Sequence, residues 1–121
     1  MTKKPKRKPD DEWLDDEGYP TDKALDRVSD WEKHYDEMLA FVRSIWRYAA
    51  SGYYAEAEGE EDPSEKVYRL STAGWSGNEE IIDALRDNKI FWALCWYSST
   101  RGGHYVFKVP AMATRAKWGQ G

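Results

Sequence analysis

The sequence has one cysteine, two histidines and no long apolar run, and each shortage excludes a class of protein. A single thiol, Cys95, cannot form an internal disulfide and has no metal-binding Cys/His spacing, so neither a secreted scaffold nor a zinc knuckle is supported. No apolar stretch has the length of a transmembrane helix. The basic head at 3–8 is followed by acids rather than by an apolar segment, so we expect neither a standard export signal nor a membrane partner. A cytoplasmic compartment fits these absences.

Excess positive charge is also missing. The chain has 18 basic and 22 acidic side chains, which give a formal net charge of −4. Proteins that bind nucleic acid in bulk are usually basic, so we expect no nucleic-acid contact except through the head at 3–8. The acidic runs at 10–17 and 56–62 lack the glycine and the spacing of a calcium loop, and they indicate a solvated tail and an exposed loop over 53–65. A DNA-mimicking or protein-interaction inhibitor is the alternative function that these carboxylates would serve.

Aromatic residues are abundant. Seven Trp, eight Tyr and three Phe can bury a large area per residue, which helps a short chain to fold. The charged ends do not belong to that core. We predict a disordered tail over 1–20, one domain over 21–110 and a flexible tail over 111–121. Trp13 and Leu14 could dock back onto the domain.

A long amphipathic helix is predicted over 30–50. Apolar side chains recur there at every third or fourth position, behind a capping box formed by Ser29 and Glu32. A shorter helical turn over 21–28, capped by Thr21, precedes it. The long helix has an apolar face that must pack on the rest of the domain, and its surplus aromatic residues are compatible with a homo-oligomer.

The remainder follows the order strand, helix, strand, strand. Strands are predicted at 67–72, 90–97 and 104–109, and a second capping box at 76–79 opens the helix between the first two. Strands joined by such a crossover run parallel, whereas the last strand returns as a hairpin. The expected fold class is therefore α+β, with the long N-terminal amphipathic helix packed on a βαββ unit and a small mixed sheet.

Polar and aromatic residues gather at the predicted carboxyl edge of the two parallel strands. A glycine-rich loop opens the crossover helix there, and the hairpin turn reaches the same edge. Ligands of parallel sheets bind at the carboxyl ends of strands, and helix N-termini favour anions, so this edge suits a phosphate or a carboxylate. The pattern predicts neither a metal site nor a cofactor. The candidate ligand-binding residues are Trp75, Ser76, Asn78, Arg101 and His104.

Structural explanations of the same residues stay open. Helix capping alone accounts for a serine at position 76. The Trp75 indole could equally pack in the core or form the wall of a binding surface. Arg101 could clamp an anion or simply be solvated. His104 could titrate near neutral pH and serve a small hydrolase or nuclease with a serine such as Ser71. Since no triad or metal cluster accompanies it, catalysis is the alternative and non-catalytic binding the leading interpretation.

Three stretches carry a resemblance to a known family. The segment at 68–82, which reads YRLSTAGWSGNEEII, together with FW at 91–92 and RGGHYVF at 101–107, resembles a family of small uncharacterised proteins of bacteriophages and bacteria. The resemblance implies an origin in a bacterial host cytoplasm and a shared core over 67–109, and it implies no activity. A phage origin favours an accessory protein that contacts a host factor or captures a small anionic ligand such as a nucleotide.

Overall fold

The computed structural model describes residues 12–114, and within them it has an α+β fold, as the sequence predicts. The expectations for the basic head at 3–8 and for residues 115–121 lie outside the described residues. No helix within 12–114 combines the length and the apolarity that crossing a membrane requires. The elements in chain order are α1 (Asp22–Ser29), α2 (Tyr35–Ile45), a 3-10 turn (Ala49–Ser51), β1 (Tyr54–Glu58), β2 (Lys66–Ser71), α3 (Ser76–Asp87), α4 (Lys89–Cys95), β3 (Trp96–Thr100), β4 (His104–Val109) and a second 3-10 turn (Ala111–Ala113).

The four strands form one sheet in the order β1-β2-β4-β3, and all its pairs are antiparallel. The predicted mixed sheet is therefore wrong, because β4 lies between β2 and β3 and no two neighbouring strands are parallel. Both β2 and β3 nevertheless run antiparallel to β4, so their carboxyl ends still lie at the same end of the sheet. The helices cover the face that buries Tyr68, Leu70 and Phe107, and the opposite face carries Arg69 and Lys108.

Residues 89–95 form helix α4 rather than a strand, which is the largest local error of the sequence prediction. The Asn88 side chain accepts the Phe91 N–H at 3.2 Å and so caps this helix. Phe91 and Cys95, one turn apart, enter the core. The β-strand begins only at Trp96. The apolar run at 90–97 therefore has the pattern of a buried strand, but most of it forms a short helix with one buried face.

The predicted exposed loop over 53–65 contains an additional edge strand, β1. Tyr54 anchors it, because the side chain is buried and its hydroxyl donates to the Leu39 carbonyl at 2.6 Å. The remaining β1 side chains are exposed, including Glu56 and Glu58 of the acidic run. The acidic run is thus partly an edge strand.

The first two helices are shorter than the patterns indicate. Thr21 caps α1 by accepting the Ala24 N–H at 3.1 Å, as predicted. The helix predicted over 30–50 spans only the eleven residues of α2 and has no capping box at Ser29. His34 occupies its N-cap position with a left-handed φ of 43° and makes no side-chain cap bond.

Residues 12–20, which the sequence assigns to the tail, lie against the core. The Trp13 ring meets Phe41 edge-on with a centroid distance of 5.1 Å. The Arg27 guanidinium lies 5.2 Å from the Trp13 ring, 4.8 Å from Trp31 and 4.9 Å from Phe41. Such cation–π contacts stabilise the packing of the segment on α1 and α2.

Candidate binding surface at one end of the sheet

The loop after β2 and the turn before β4 meet at one end of the sheet. The Thr72 N–H donates to the Gly103 carbonyl at 2.9 Å, and Ser71 lies opposite His104 in the strand pairing. Gly103 has a φ of 84°, and a Cβ there would overlap the Thr72 hydroxyl. The two halves of the predicted edge are therefore joined, and β4 connects them.

Asn78 lies beneath this end of the sheet and is fully buried. Its Oδ1 accepts the Arg47 N–H at 3.0 Å, and its Nδ2 donates to the Arg47 carbonyl at 3.2 Å and to the Thr72 carbonyl at 3.4 Å. One side-chain amide thus satisfies three backbone groups from two segments that are distant in the sequence. Asn78 positions the surface from below rather than facing a ligand.

Trp75 is half-buried and packs between two neighbours. The Arg47 guanidinium lies 4.3 Å from its ring centroid, and the Tyr19 ring lies 4.7 Å away. Below the indole, a Cβ on Gly77 would overlap the ring, so glycine is required for the indole to lie over the first turn of α3. Trp75 therefore combines packing with partial exposure at the surface.

Ser76 is the first residue of α3 rather than its cap. Trp75 occupies the N-cap position and makes no side-chain cap bond, so the predicted capping box at 76–79 is wrong. The exposed Ser76 hydroxyl makes only a long hydrogen bond, 3.5 Å, to the Tyr19 hydroxyl. The first turn of α3 therefore has no side-chain cap, and Glu79 supplies the negative charge that the N-terminal end of a helix favours.

Two further tyrosines extend the surface beyond Arg47. The Arg47 guanidinium lies 5.6 Å from the Tyr48 ring, and the Tyr48 and Tyr53 rings are 5.9 Å apart. Tyr48 is 51% exposed and has a left-handed φ of 66°, a conformation that costs roughly 1 kcal/mol for a residue with a Cβ. We call the continuous set of contacts the aromatic band; its members are Tyr19, Trp75, Arg47, Tyr48 and Tyr53.

Arg101 and His104 lie on the other side of the Thr72–Gly103 contact, and both are exposed. No ring contact or hydrogen bond joins either of them to Trp75 in the part of the chain that the structure describes. His104 lines a depression of about 370 Å³ on the open face of the sheet, where Tyr53 of the aromatic band forms part of the rim. The other lining residues are Gly52, Ala55, Arg69, Leu70, Ser71, Tyr105 and Val106.

The surface offers cationic donors. Among residues 12–114, none of Arg47, Arg69 and Arg101 forms an ion pair with a carboxylate. Their guanidinium groups can therefore bind an external anion without first breaking an ion pair within the protein. Ser71 and His104 are cross-strand neighbours but make no side-chain hydrogen bond, and the described residues contain no group of three metal-ligating side chains.

The sequence prediction missed the arginine that packs on Trp75, Arg47. It lies two residues after the end of α2, and its position depends on Asn78, which lies 31 residues further along the chain. A local pattern cannot report such a contact. The sequence carries no signal for it, because the burial of Asn78 is known only from the structure.

Comparisons of the chain with family models, with curated proteins and with solved structures give no significant match. The resemblance to a bacteriophage and bacterial family therefore remains a prediction. The case for a function depends on the geometry and the chemistry of the surface.

Proposed function

We propose that the protein is a non-catalytic binding module whose aromatic band binds a small anion that carries a planar ring, such as a nucleotide. The observation that carries the proposal is the position of Arg47. Its guanidinium lies 4.3 Å over the half-buried Trp75 ring and has no carboxylate partner in the described chain. An arginine with this environment presents its donors to solvent at the edge of an aromatic surface.

The chemistry of the aromatic band suits the two parts of a nucleotide. The exposed rings of Tyr48 and Tyr53 offer a face on which a base can stack, a contact worth about 1–3 kcal/mol per base. Arg47 offers paired N–H donors for a phosphate. The exposed Ser76 hydroxyl, which makes only a 3.5 Å hydrogen bond, supplies a further donor.

The band is also held in place before any ligand arrives. Asn78 fixes the backbone of Arg47 on both its N–H and its carbonyl, and Gly77 fixes the plane of Trp75. Binding then requires little ordering of the protein, which improves affinity for a small ligand. This is the feature that distinguishes the band from the exposed turn that carries Arg101.

A host protein is the second candidate partner in the phage-type accessory role. Trp, Tyr and Arg dominate the side chains that contribute most to protein interfaces, and the aromatic band consists of these types alone. Such a partner would bury the whole band, whereas a nucleotide would use its Arg47 portion. Both belong to the same non-catalytic class.

The test is a thermal-shift screen followed by calorimetry with ATP, GTP, a cyclic dinucleotide and inorganic phosphate. We expect a nucleotide to stabilise the protein by about 2.7 kcal/mol when its concentration is 100 times the dissociation constant. Arg47→Ala should abolish this shift while the far-UV circular dichroism is unchanged. The matched control is Arg101→Ala, another exposed and unpaired arginine, which should bind as the wild type does.

Three results would contradict the proposal. No stabilisation by any nucleotide would remove the ligand class, and binding that survives Arg47→Ala would remove the site. Loss of binding in Arg101→Ala alone would move the site to the turn. Chromatography of the nucleotide after incubation should recover it intact, and turnover that disappears in His104→Ala would instead establish the hydrolase alternative.

A further inference from the structure

A second surface, at the other edge of the sheet from β1, concentrates exposed apolar side chains. Seven large apolar residues are exposed among residues 12–114, and four of them fall within the eight positions 90–97. Such a concentration marks an interaction surface more often than a solvated one. The four are Ile90 at 68% exposure, Leu94 at 39%, Trp96 at 42% and Tyr97 at 58%.

Helix and strand contribute to this surface together. Ile90 and Leu94 are one turn apart, so they share a face of α4. The Trp92 ring stacks on the Trp96 ring with a centroid distance of 6.1 Å and an angle of 16°, which joins α4 to the first residue of β3. We call the set of exposed residues at 90–97 together with strand β3 the α4–β3 surface.

The two edge strands of the sheet differ in their protection against pairing. Natural edge strands avoid pairing with another chain mainly by carrying charges, bulges or proline. β1 carries Glu56 and Glu58, which would meet like charges if this strand paired with its own copy. β3 has the sequence WYSST, without a charge or a proline. Its protection consists of a β-bulge between Trp96 and Ser98 and of the Lys108 ammonium of β4, which lies 3.8 Å from the Tyr97 ring centroid.

We infer that the α4–β3 surface binds a second copy of this chain, with β3 pairing antiparallel to itself about a two-fold axis at Ser98. In that register Trp96 lies opposite Thr100 of the partner subunit, and Tyr97 lies opposite Ser99 of the partner subunit. Each bulky ring meets a small hydroxyl residue, and no charge meets its like. β3 is uncharged, with its large residues at one end and its small ones at the other. Antiparallel pairing of two copies therefore places large residues opposite small ones.

The bulge determines how the contact is divided between strand and helix. Only Ser98–Thr100 pair regularly with β4, so the ladder between the two copies is short. Ile90 and Leu94 must then supply most of the apolar contact, since α4 packs on the β3–β4 side of the sheet. Burial of these side chains and of Tyr97 gives the second copy a hydrophobic contact on both faces of the new strand pair.

The first experiment is oxidative cross-linking of single cysteine variants of the full chain. Ser98→Cys places two thiols at the two-fold axis, where they can form a disulfide, so we expect a covalent dimer. Thr100→Cys is the matched control, because its two copies would lie roughly 14 Å apart along the paired strands. The native Cys95 is buried and should not contribute a background.

The second experiment measures the mass in solution by sedimentation equilibrium from about 1 to 100 μM, which covers dissociation constants of the same order. We expect a dimer, and Leu94→Glu should weaken it by roughly 100-fold or more because two carboxylates would be buried in the contact. Met112→Glu changes a more exposed apolar residue outside the surface, at 63% against 39% for Leu94, and should leave the dimer intact. Leu94 is exposed in the single chain, so this variant should still fold.

The inference is overturned by a wild-type monomer over the whole range, or by a dimer that persists in Leu94→Glu. Equal cross-linking of Ser98→Cys and Thr100→Cys would exclude the proposed register. Growth into species larger than the dimer would indicate head-to-tail pairing of β3 with β1 instead of a two-fold contact. None of these outcomes depends on whether the aromatic band binds a nucleotide.

Discussion

Asn78 joins the segment after α2 to the loop after β2, and its replacement by alanine should destabilise the protein strongly. The change removes three hydrogen bonds and leaves the Arg47 N–H and two carbonyls to find other partners. A buried hydrogen bond contributes about 1 kcal/mol net, so the loss is roughly 3 kcal/mol. A domain of this size loses about 4 °C in Tm per kcal/mol, which corresponds to a decrease of roughly 12 °C. Because the band depends on Arg47, nucleotide binding should weaken as well.

Urea unfolding followed by tryptophan fluorescence gives the free energy of unfolding directly, and circular dichroism gives the Tm. Ser76→Ala is the control, because this neighbouring side chain is exposed and makes only a 3.5 Å hydrogen bond. It should stay within about 0.5 kcal/mol of the wild type. A loss below about 1 kcal/mol in Asn78→Ala would refute the reasoning, since it would mean that the three bonds do not hold the two segments together.

Four further predictions concern single residues. Gly77→Ala forces a Cβ into the Trp75 ring and should cost about 1–3 kcal/mol of stability, measured by urea unfolding. Arg27→Ala removes a guanidinium that contacts three aromatic rings and should cost about 1–2 kcal/mol, with increased proteolysis at residues 12–20. Burial raises the pKa of the Cys95 thiol from 9.0 to about 12, so a thiol reagent at pH 8 should react only after unfolding. Because the unfolded chain loses this proton first, stability should fall as the pH rises from 9 towards 12, by at most about 1.4 kcal/mol per pH unit.

Each of these predictions has an outcome that contradicts it. Unchanged stability in Gly77→Ala would mean that the indole does not lie over α3. If Arg27→Ala and Arg27→Lys are both as stable as the wild type, the aromatic contacts do not hold residues 12–20. Rapid labelling of native Cys95 at pH 8 would place the thiol outside the core. Stability should fall more steeply with rising pH than Cys95 alone explains, since burial also raises the pKa of three core tyrosines, Tyr35, Tyr54 and Tyr68.

The fold could be predicted from the sequence where short-range patterns determine it. Thr21 caps α1, and alternation places β2 and β4 correctly within one or two residues. The run at 90–97 misled because the pattern reports hydrophobicity rather than burial. Ile90 and Leu94 are exposed, and only Phe91 and Cys95 enter the core, so the correct pattern is that of a helix with one buried face.

The candidate site could be predicted only in part, because its geometry depends on long-range contacts. The sequence predicts that the Gly74 loop meets the 101–103 turn. In the structure, the antiparallel pairing of β2 with β4 brings them together. Position alone did not indicate that Asn78 is buried or that Arg47 lies over Trp75. Both facts depend on a hydrogen bond between residues 31 positions apart, and no local propensity encodes that separation.

The aromatic band as a ligand site is the central claim, and a two-dimensional NMR titration tests it most directly. With a nucleotide selected by the thermal-shift screen, the Trp75 indole N–H and the backbone amides of Arg47 and Tyr48 should shift together and saturate at one affinity. The indole N–H of Trp96, at the opposite edge of the sheet, should not move and serves as the internal reference. Shifts confined to Arg101 and His104, or no saturating shift at Arg47 and Trp75, would contradict the account.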